Sequence, residues 1–409
     1  MNSEQLFELA LGLQSPWRID RVTFTETESS HSQLEIHLNF PRGSKFKDGS
    51  GTLCPVHDTI EREWQHLDFF QHRCILRARV PRIRNSAGKV EQVKVPWARP
   101  LSGFTLLFEA FALCLVESEM PVKRAASVLK VYPQRVWKVF NYWIERAQKK
   151  DDQSQVETLG VDETSSKKGH AYVTLAADMQ KRRVLFATPG KGAETMTQLA
   201  AHLKSKNVKP EQIKKICIDM SPAFISGVQK EFPAADIVFD RFHVNKMLNE
   251  AMDEVRRRER AEHEALKRHK YTFLKNPENL TDKQKIQKAQ LIIDYPTLGE
   301  AVRLKELFND FWQFQDKELA MGWLAWWCEI VEESAVQPFK KFVNTIKAHW
   351  TGIVNYVEAK ISNGVLEGIN SKIQLAKRRA RGYRNIDNFI NMIHFIAGKL
   401  EFDYPHKFI

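Results

Sequence analysis

Apolar and polar positions divide the chain into stretches of different rhythm. Residues 1–50 are polar and irregular, and only "SQLEIHLNF" alternates with the two-residue period of a half-buried strand. From 103 to 150 the spacing turns helical. "GFTLLFEAFALCLVES" reads as an apolar helix, "PVKRAASVLK" opens with Pro121 in its first turn and ends at Leu129, and "PQRVWKVFNYWIERAQKK" again opens with proline. Two short helices across a tight turn predict a helix-turn-helix, with Gln134, Arg135 and Lys138 on the exposed side of the second. After the polar linker "DDQSQ" (151–155), "VETLGVDET", "GHAYVTLAAD" and "RRVLFATPG" read as an antiparallel meander. An amphipathic helix, the buried strand "IKKICID", a second helix and the strand "ADIVFDRFHV" follow, so the order is β-β-β-α-β-α-β. From about 244 to 350 the strands vanish into charged and Trp-rich helices. The Trp323, Trp326, Trp327 cluster has the spacing of core residues, with stacking on an unpaired base as the alternative. "SNGVLEGINSKIQLAKRRARGYRNIDNFINMIHFIAGKL" is two further helices, with Ser362 or Asn363 as cap of the first and Gly382 at their junction.

This order places particular acids. Asp162 ends the first strand in "GVDET" and Asp219 ends the fourth in "CIDMS". In a sheet of the ribonuclease-H kind those two strands are adjacent, central and parallel, so the two carboxylates come side by side. Unpaired, they would repel; a divalent cation, Mg²⁺ or Mn²⁺, removes the conflict. A third acid is expected from a helix packed beside these strands. "SNGVLEGINSKIQ" supplies Glu367, with Leu366, Ile369 and Ile373 as its apolar stripe and Asn370 and Gln374 on the polar edge. Three carboxylates holding two ions suit the cleavage and joining of phosphodiesters. Asp240, closing the fifth strand, is a rival ligand, Glu163 and Glu358 are weaker rivals, and His243 is a candidate proton donor or phosphate contact.

Charge narrows the class of partner. The 409 residues carry a formal net charge of +12, which points to a polyanion, most simply nucleic acid. Basic residues cluster as Arg77, Arg79, Arg82 and Arg84 in "RARVPRIR" and as Lys377, Arg378, Arg379, Arg381 and Arg384 in "KRRARGYR". Both clusters are candidate DNA contacts. Cys54 and His57, then His72 and Cys74, have the residue types of one tetrahedral zinc site, with buried thiols among surface histidines as the other reading. The five cysteines show no disulfide pattern and no stretch has the length of a membrane span, so a cytoplasmic protein is expected, nucleoid-associated when on DNA.

The motifs "VPWARPLSGFTLLFEA", "GVDE", "IDMSPAF", "DRFHV" and "SNGVLEGINSKI" followed by "KRRARGYRN" resemble the DDE transposases of bacterial insertion sequences, specifically the ISL-three family. The resemblance spans nearly the whole chain and implies Asp162, Asp219 and Glu367 as the catalytic triad. It also implies binding of terminal inverted repeats and target DNA, strand cleavage and transfer with Mg²⁺, and a homodimer in the synaptic complex. The expected architecture is a zinc-ribbon-like DNA-binding segment (1–100) and a helix-turn-helix domain (101–150). A ribonuclease-H-like, retroviral-integrase-like α/β core follows (156–245 and 351–409), interrupted by an all-α insertion (246–350). Family members carry two Cys-x2-Cys pairs before "VPWARP"; here the first is Cys54 with His57, and "RNSAGK" (84–89) has no cysteine. A structure-specific nuclease or resolvase on the same fold, and a helix-turn-helix regulator with an inert core, are the alternatives.

Overall fold

The computed structural model describes residues 3–26, 32–167, 169–361 and 364–403, so Ser362 and Asn363, the expected cap, lie outside the described residues. The chain divides into two compact units between Trp143 and Ile144. Among the described residues no helix is long and apolar enough to cross a membrane.

Where one strand is expected before residue 100, the first unit has six: β1 (Arg18–Glu26), β2 (Ser32–Asn39), β3 (Lys45–Lys47), β4 (Leu53–Gln65), β5 (Arg73–Arg84) and β6 (Val90–Gln92). They form one sheet in the order β1-β2-β5-β4-β3, with β6 on β5. Its core is aromatic. Trp97 packs edge-on against Trp17 at 4.8 Å and Trp64 at 5.6 Å, and Trp17 meets Phe40 and Phe46 at 5.5 and 5.6 Å. Three helices follow, Leu106–Glu117, Val122–Val128 and Pro133–Lys150. Fully buried Glu109 ties them to the preceding loop: it accepts from Arg99 Nε at 2.9 Å, Ser102 Oγ at 2.6 Å and Trp143 Nε1 at 2.8 Å.

The expected zinc set does not come together here. Asp58 to Gln65 of β4 pair antiparallel with Ile75 to Arg82 of β5. Cys54 therefore lies at one end of this ladder and Cys74 at the other, some ten residues or roughly 30 Å apart. His57 pairs with neighbouring Asp58 at 3.3 Å, and the His72 ring packs edge-on against Phe24. Burial pushes the Cys74 thiol up to about 12 and raises that of Cys54. No His, Cys, Asp and Glu side chains among the described residues form a ligand group.

A carboxylate joins the two turns in question instead. Asp48 Oδ1 accepts from Ser50 N at 2.9 Å, Ser50 Oγ at 2.6 Å and Thr52 N at 2.9 Å, closing the turn before Cys54. Its Oδ2 accepts from Ser86 N at 3.1 Å and Ser86 Oγ at 3.0 Å, in the "RNSAGK" turn.

In the second unit the expected element order is found. β7 (Thr158–Ser165), β8 (Tyr172–Asp178) and β9 (Arg183–Pro189) form the antiparallel meander. β10 (Lys215–Ile218) and β11 (Asp236–Phe239) add on parallel to β7, giving the order β11-β10-β7-β8-β9. Helices Glu194–Ser205 and Pro222–Glu231 alternate with these last strands. From Arg241 to Ala359 the described elements are helical, and helices Gly364–Arg379 and Ile386–Ala397 follow. Trp327 is wholly buried in the helical core, whereas Trp326 is 42% exposed and lies 4.5 Å from half-buried Trp323.

Hydrogen bonds to Asp48 hold its carboxyl well below the ordinary value of 3.8. A depressed folded-state value means stabilisation that is complete above that ordinary value and is lost as pH falls below it. Asp48→Asn is therefore expected to lower the melting midpoint at neutral pH and flatten the acid limb of the stability profile. Chelator dialysis of the wild type should leave the midpoint unchanged, and a fall on chelation would reinstate a structural zinc.

Candidate active site

The site is set by strand register. In β10, Lys215, Ile216 and Cys217 pair with Thr158, Leu159 and Gly160 of β7, and on the other side Ile218 pairs with Phe239 of β11. The same registers, continued, put Asp162, Asp219 and Asp240 at one level across three neighbouring strands, each about 4.8 Å from the next. Asp162 is not at a strand end, as the sequence suggests: β7 continues to Ser165, paired with Tyr172 of β8. It stands where β10 stops, so one edge of its strand opens into the site.

Each aspartate is oriented by local hydrogen bonds. Asp219 Oδ1 accepts from Ser221 N at 3.0 Å, just before Pro222 starts its helix. Buried Asp240 caps the Arg241–Glu262 helix, accepting from Phe242 N at 3.0 Å, and its Oδ2 lies 3.1 Å from His243 Nδ1. Asp162 Oδ1 accepts from Glu163 N at 2.7 Å, and Oδ2 from Asn370 Nδ2 at 2.6 Å. Burial, helped by the charges of Asp219 and Asp240, pushes the Asp162 carboxyl up, and Glu163 rises for the same first reason with Asp219 beside it. His243 is raised chiefly by its bond to Asp240, with the charges of Asp219 and Asp162 adding. A half-buried, all-oxygen donor set whose members repel one another fits a hard divalent cation, and the adjacent Asp162 and Asp219 carry that fit.

The Gly364–Arg379 helix lies along β7 in matched steps. Leu366 sits over Gly160, Asn370 bonds Asp162, and Gln374 Nε2 donates to Thr164 Oγ1 at 2.7 Å. Four helical residues rise about 6 Å and two strand residues about 6.6 Å, so the two repeats stay in phase. Gly160 permits the contact: a Cβ there would fall 2.9 Å from Leu366 Cδ1 and 2.3 Å from Met179 Sδ. Glu367 is exposed in the first turn of this helix, three residues before Asn370, with the two Cβ atoms roughly 5–6 Å apart. The structure thus brings Asp162, Asp219, Asp240 and His243 together and sets Glu367 one turn from Asp162's amide partner, without closing a three-ligand group among the described residues. Glu358 lies instead 3.8 Å from Lys317.

The candidate DNA contacts divide unevenly. On β5, Arg77 pairs with Glu35 and Glu63 at 3.1 and 3.3 Å, Arg79 donates to Thr59 Oγ1 at 3.2 Å, Arg82 chelates Asp58, and Arg84 is exposed. Gln134 and Lys138 are exposed as expected, but Arg135 is half-buried with its guanidinium 4.0 Å over the Phe104 ring. Arg378, Arg379, Arg381 and Arg384 are exposed, whereas Lys377 turns back to donate to Ser165 O at 2.6 Å. Sequence reasoning ranked Asp240 only as a rival; its place at the level of Asp219 follows from strand lengths, which fix where parallel neighbours end together.

Comparison with known proteins is in accord with this geometry. The family model described as the transposase of group ISL3 matches residues 159–393, and that for the helix-turn-helix domain of transposase family ISL3 matches residues 93–144. The transposase for insertion sequence element IS1001 of Bordetella parapertussis is 27% identical over 393 residues, covering 93% of this chain and 95% of that protein. The transposase for IS1557 of Mycobacterium tuberculosis is 25% identical over 427 residues, covering 94% and 93%. A chain from the simian T-cell lymphotropic virus intasome matches 42% of this chain and 70% of its own length at 13% identity, with a TM-score of 0.17, too low to bear on the fold.

Overpacking at Gly160 tests the helix–strand contact. Gly160→Ala is expected to cost about 1–3 kcal/mol, as the flexible Met179 side chain gives way. Gly160→Val should prevent native folding of the second unit, read by urea denaturation. Wild-type stability in the valine variant would show that the helix does not pack here.

Proposed function

Since this chain belongs to the ISL3 family of transposases, we propose that Asp162, Asp219 and Glu367 are the catalytic acids with which it cuts and joins DNA. The protein is an insertion-sequence transposase with a helix-turn-helix domain. We read the five-stranded sheet as a ribonuclease-H-like core and the helices from Arg241 to Ala359 as an insertion within it. The observation that supports this most is the alignment of Asp162 with Asp219 on parallel strands, beside the helix that carries Glu367.

Asp162 and Asp219 would hold divalent cations, Mg²⁺ or Mn²⁺, with Glu367 as the third acid. Bound there, such ions would supply the Lewis acidity that favours attack by a water or 3′-hydroxyl and departure of the leaving oxygen of a phosphodiester. Asn370 positions Asp162 by holding Oδ2, while Oδ1 accepts from Glu163 N. Asp240 orients His243 through Nδ1, and in the protonated ring Nε2–H would then donate to a phosphate oxygen. Gln134 and Lys138 of the second helix of the helix-turn-helix would contact the terminal inverted repeats, and Arg84 would add a phosphate contact. Arg378, Arg379, Arg381 and Arg384, beyond the last turns of the Glu367 helix, would hold the phosphates of the element end or target. Holding two ends at once calls for a homodimer in the synaptic complex.

The test uses labelled DNA ends taken from the flanks of the gene, incubated with protein and Mg²⁺. Asp162→Asn, Asp219→Asn and Glu367→Gln are each expected to reduce nicking and joining to background while retaining the gel shift of the wild type. Full cleavage by any one variant would remove that residue from the assignment, and full cleavage by all three would overturn it.

A further inference from the structure

A groove of about 360 Å³ runs along the Arg241–Glu262 helix, starting two residues past Asp240. Phe242 stands at its head, 55% exposed, with its ring 5.6 Å from that of His243. An aromatic ring of that size left in water beside a carboxylate cluster has no packing explanation. Behind it, Asn245 and Lys246 line the groove one turn on from Phe242, and Asn249 two turns on. The two amides differ in what they leave open. Asn245 Oδ1 accepts from Trp312 Nε1 at 3.0 Å, which leaves its NH₂ to donate, whereas Asn249 Oδ1 is buried without a hydrogen-bond partner. A buried acceptor of that kind calls for a donor. Farther along, Asp253 is neutralised by Arg256 at 2.7 Å, Arg257 at 3.6 Å and Lys270 at 3.8 Å.

We propose that this groove takes the unpaired DNA strand as it leaves the aspartates, with Phe242 stacking the first base and Lys246 holding its phosphate. Asn245 then presents its amide donor, which an acceptor on the edge of any base can meet, so the groove takes a splayed-out base without strong sequence preference. Exposed aromatics beside cationic side chains are the usual means of gripping single strands. The proposal rests on the transposase reading of Asp162 and Asp219, because it needs a DNA strand to emerge there.

The probe is an element-end duplex with a short single-stranded extension whose first unpaired base is 2-aminopurine. Stacking on Phe242 should quench its fluorescence when the wild type binds. Phe242→Ala should bind the duplex part equally by gel shift, fail to quench, and nick about tenfold more slowly, the order expected for one lost stacking contact. Phe242→Trp should restore both. Phe242 is largely exposed, so truncation opens no core cavity, and unchanged circular dichroism checks that. Equal quenching and equal nicking by Phe242→Ala would overturn the groove and leave the transposase reading standing. If the wild type nicks nothing, the quenching comparison, which requires binding alone, still decides the groove on its own.

Discussion

The close approach of the Gly364–Arg379 helix to β7 is the constraint on which the site depends. Gly160 removes the side chain that would hold the two apart, and Leu366, Asn370 and Gln374 then register against Gly160, Asp162 and Thr164. A helix and a strand stay in phase only because four residues of one rise nearly as far as two of the other. The match converts a contact spanning some two hundred residues of sequence into a fixed position for Glu367. Between the two lies a helical stretch whose Phe308, Trp312 and Trp327 belong to the same buried core as Leu159, Ile216 and Val238 of the sheet. That stretch also packs back on the sheet, where Asn355 Nδ2 donates to Ile237 O of β11 at 3.0 Å and Gly352 lies against the Phe239 ring.

Charge is distributed as the chemistry of the core would ask. Acids gather at one level across three parallel strands, where burial and the charges of Asp219 and Asp240 raise Asp162. Basic residues near them are of two sorts. Lys377 is used structurally, tied to the end of β7, while the arginines that follow it are exposed around the turn where Arg381 and Gly382 take positive φ. In the first unit the balance is reversed: β5 arginines face acids on β2 and β4, so much of the apparent basic stripe is spent on cross-strand pairs.

How much was legible in the sequence follows from which interactions are local. Alternation and helix periodicity revealed the β-β-β-α-β-α-β order, and that order alone brought Asp162 beside Asp219. The length of β7 was hidden, because "ETS" is polar and its pairing with β8 is a property of the sheet. Zinc was read from ligand types close in sequence, but an antiparallel ladder carries Cys54 and Cys74 to opposite ends, and the turns meet through Asp48 instead. Arg135 was counted with the exposed face of its helix, yet it stacks on Phe104, a residue thirty positions away that periodicity cannot see. Asn370 was visible on the polar edge of its helix; its bond to Asp162 was not.

The exposed position of Glu367 has a physical reason in the same electrostatics. Two unit charges about 4 Å apart interact by roughly 4 kcal/mol at the effective dielectric of a protein surface. Asp162 already stands level with Asp219 and Asp240, and His243 bonds Asp240 through Nδ1 at 3.1 Å. Another carboxylate in that half-buried place would add a repulsion comparable to the net contribution of several hydrogen bonds. Asn370 fills the space beside Asp162 with a neutral donor instead, and Glu367, one turn earlier on the same helix, keeps its contact with water. The helix therefore leaves Glu367 exposed one turn before Asn370, where repulsion from the aspartates is weaker than beside Asp162.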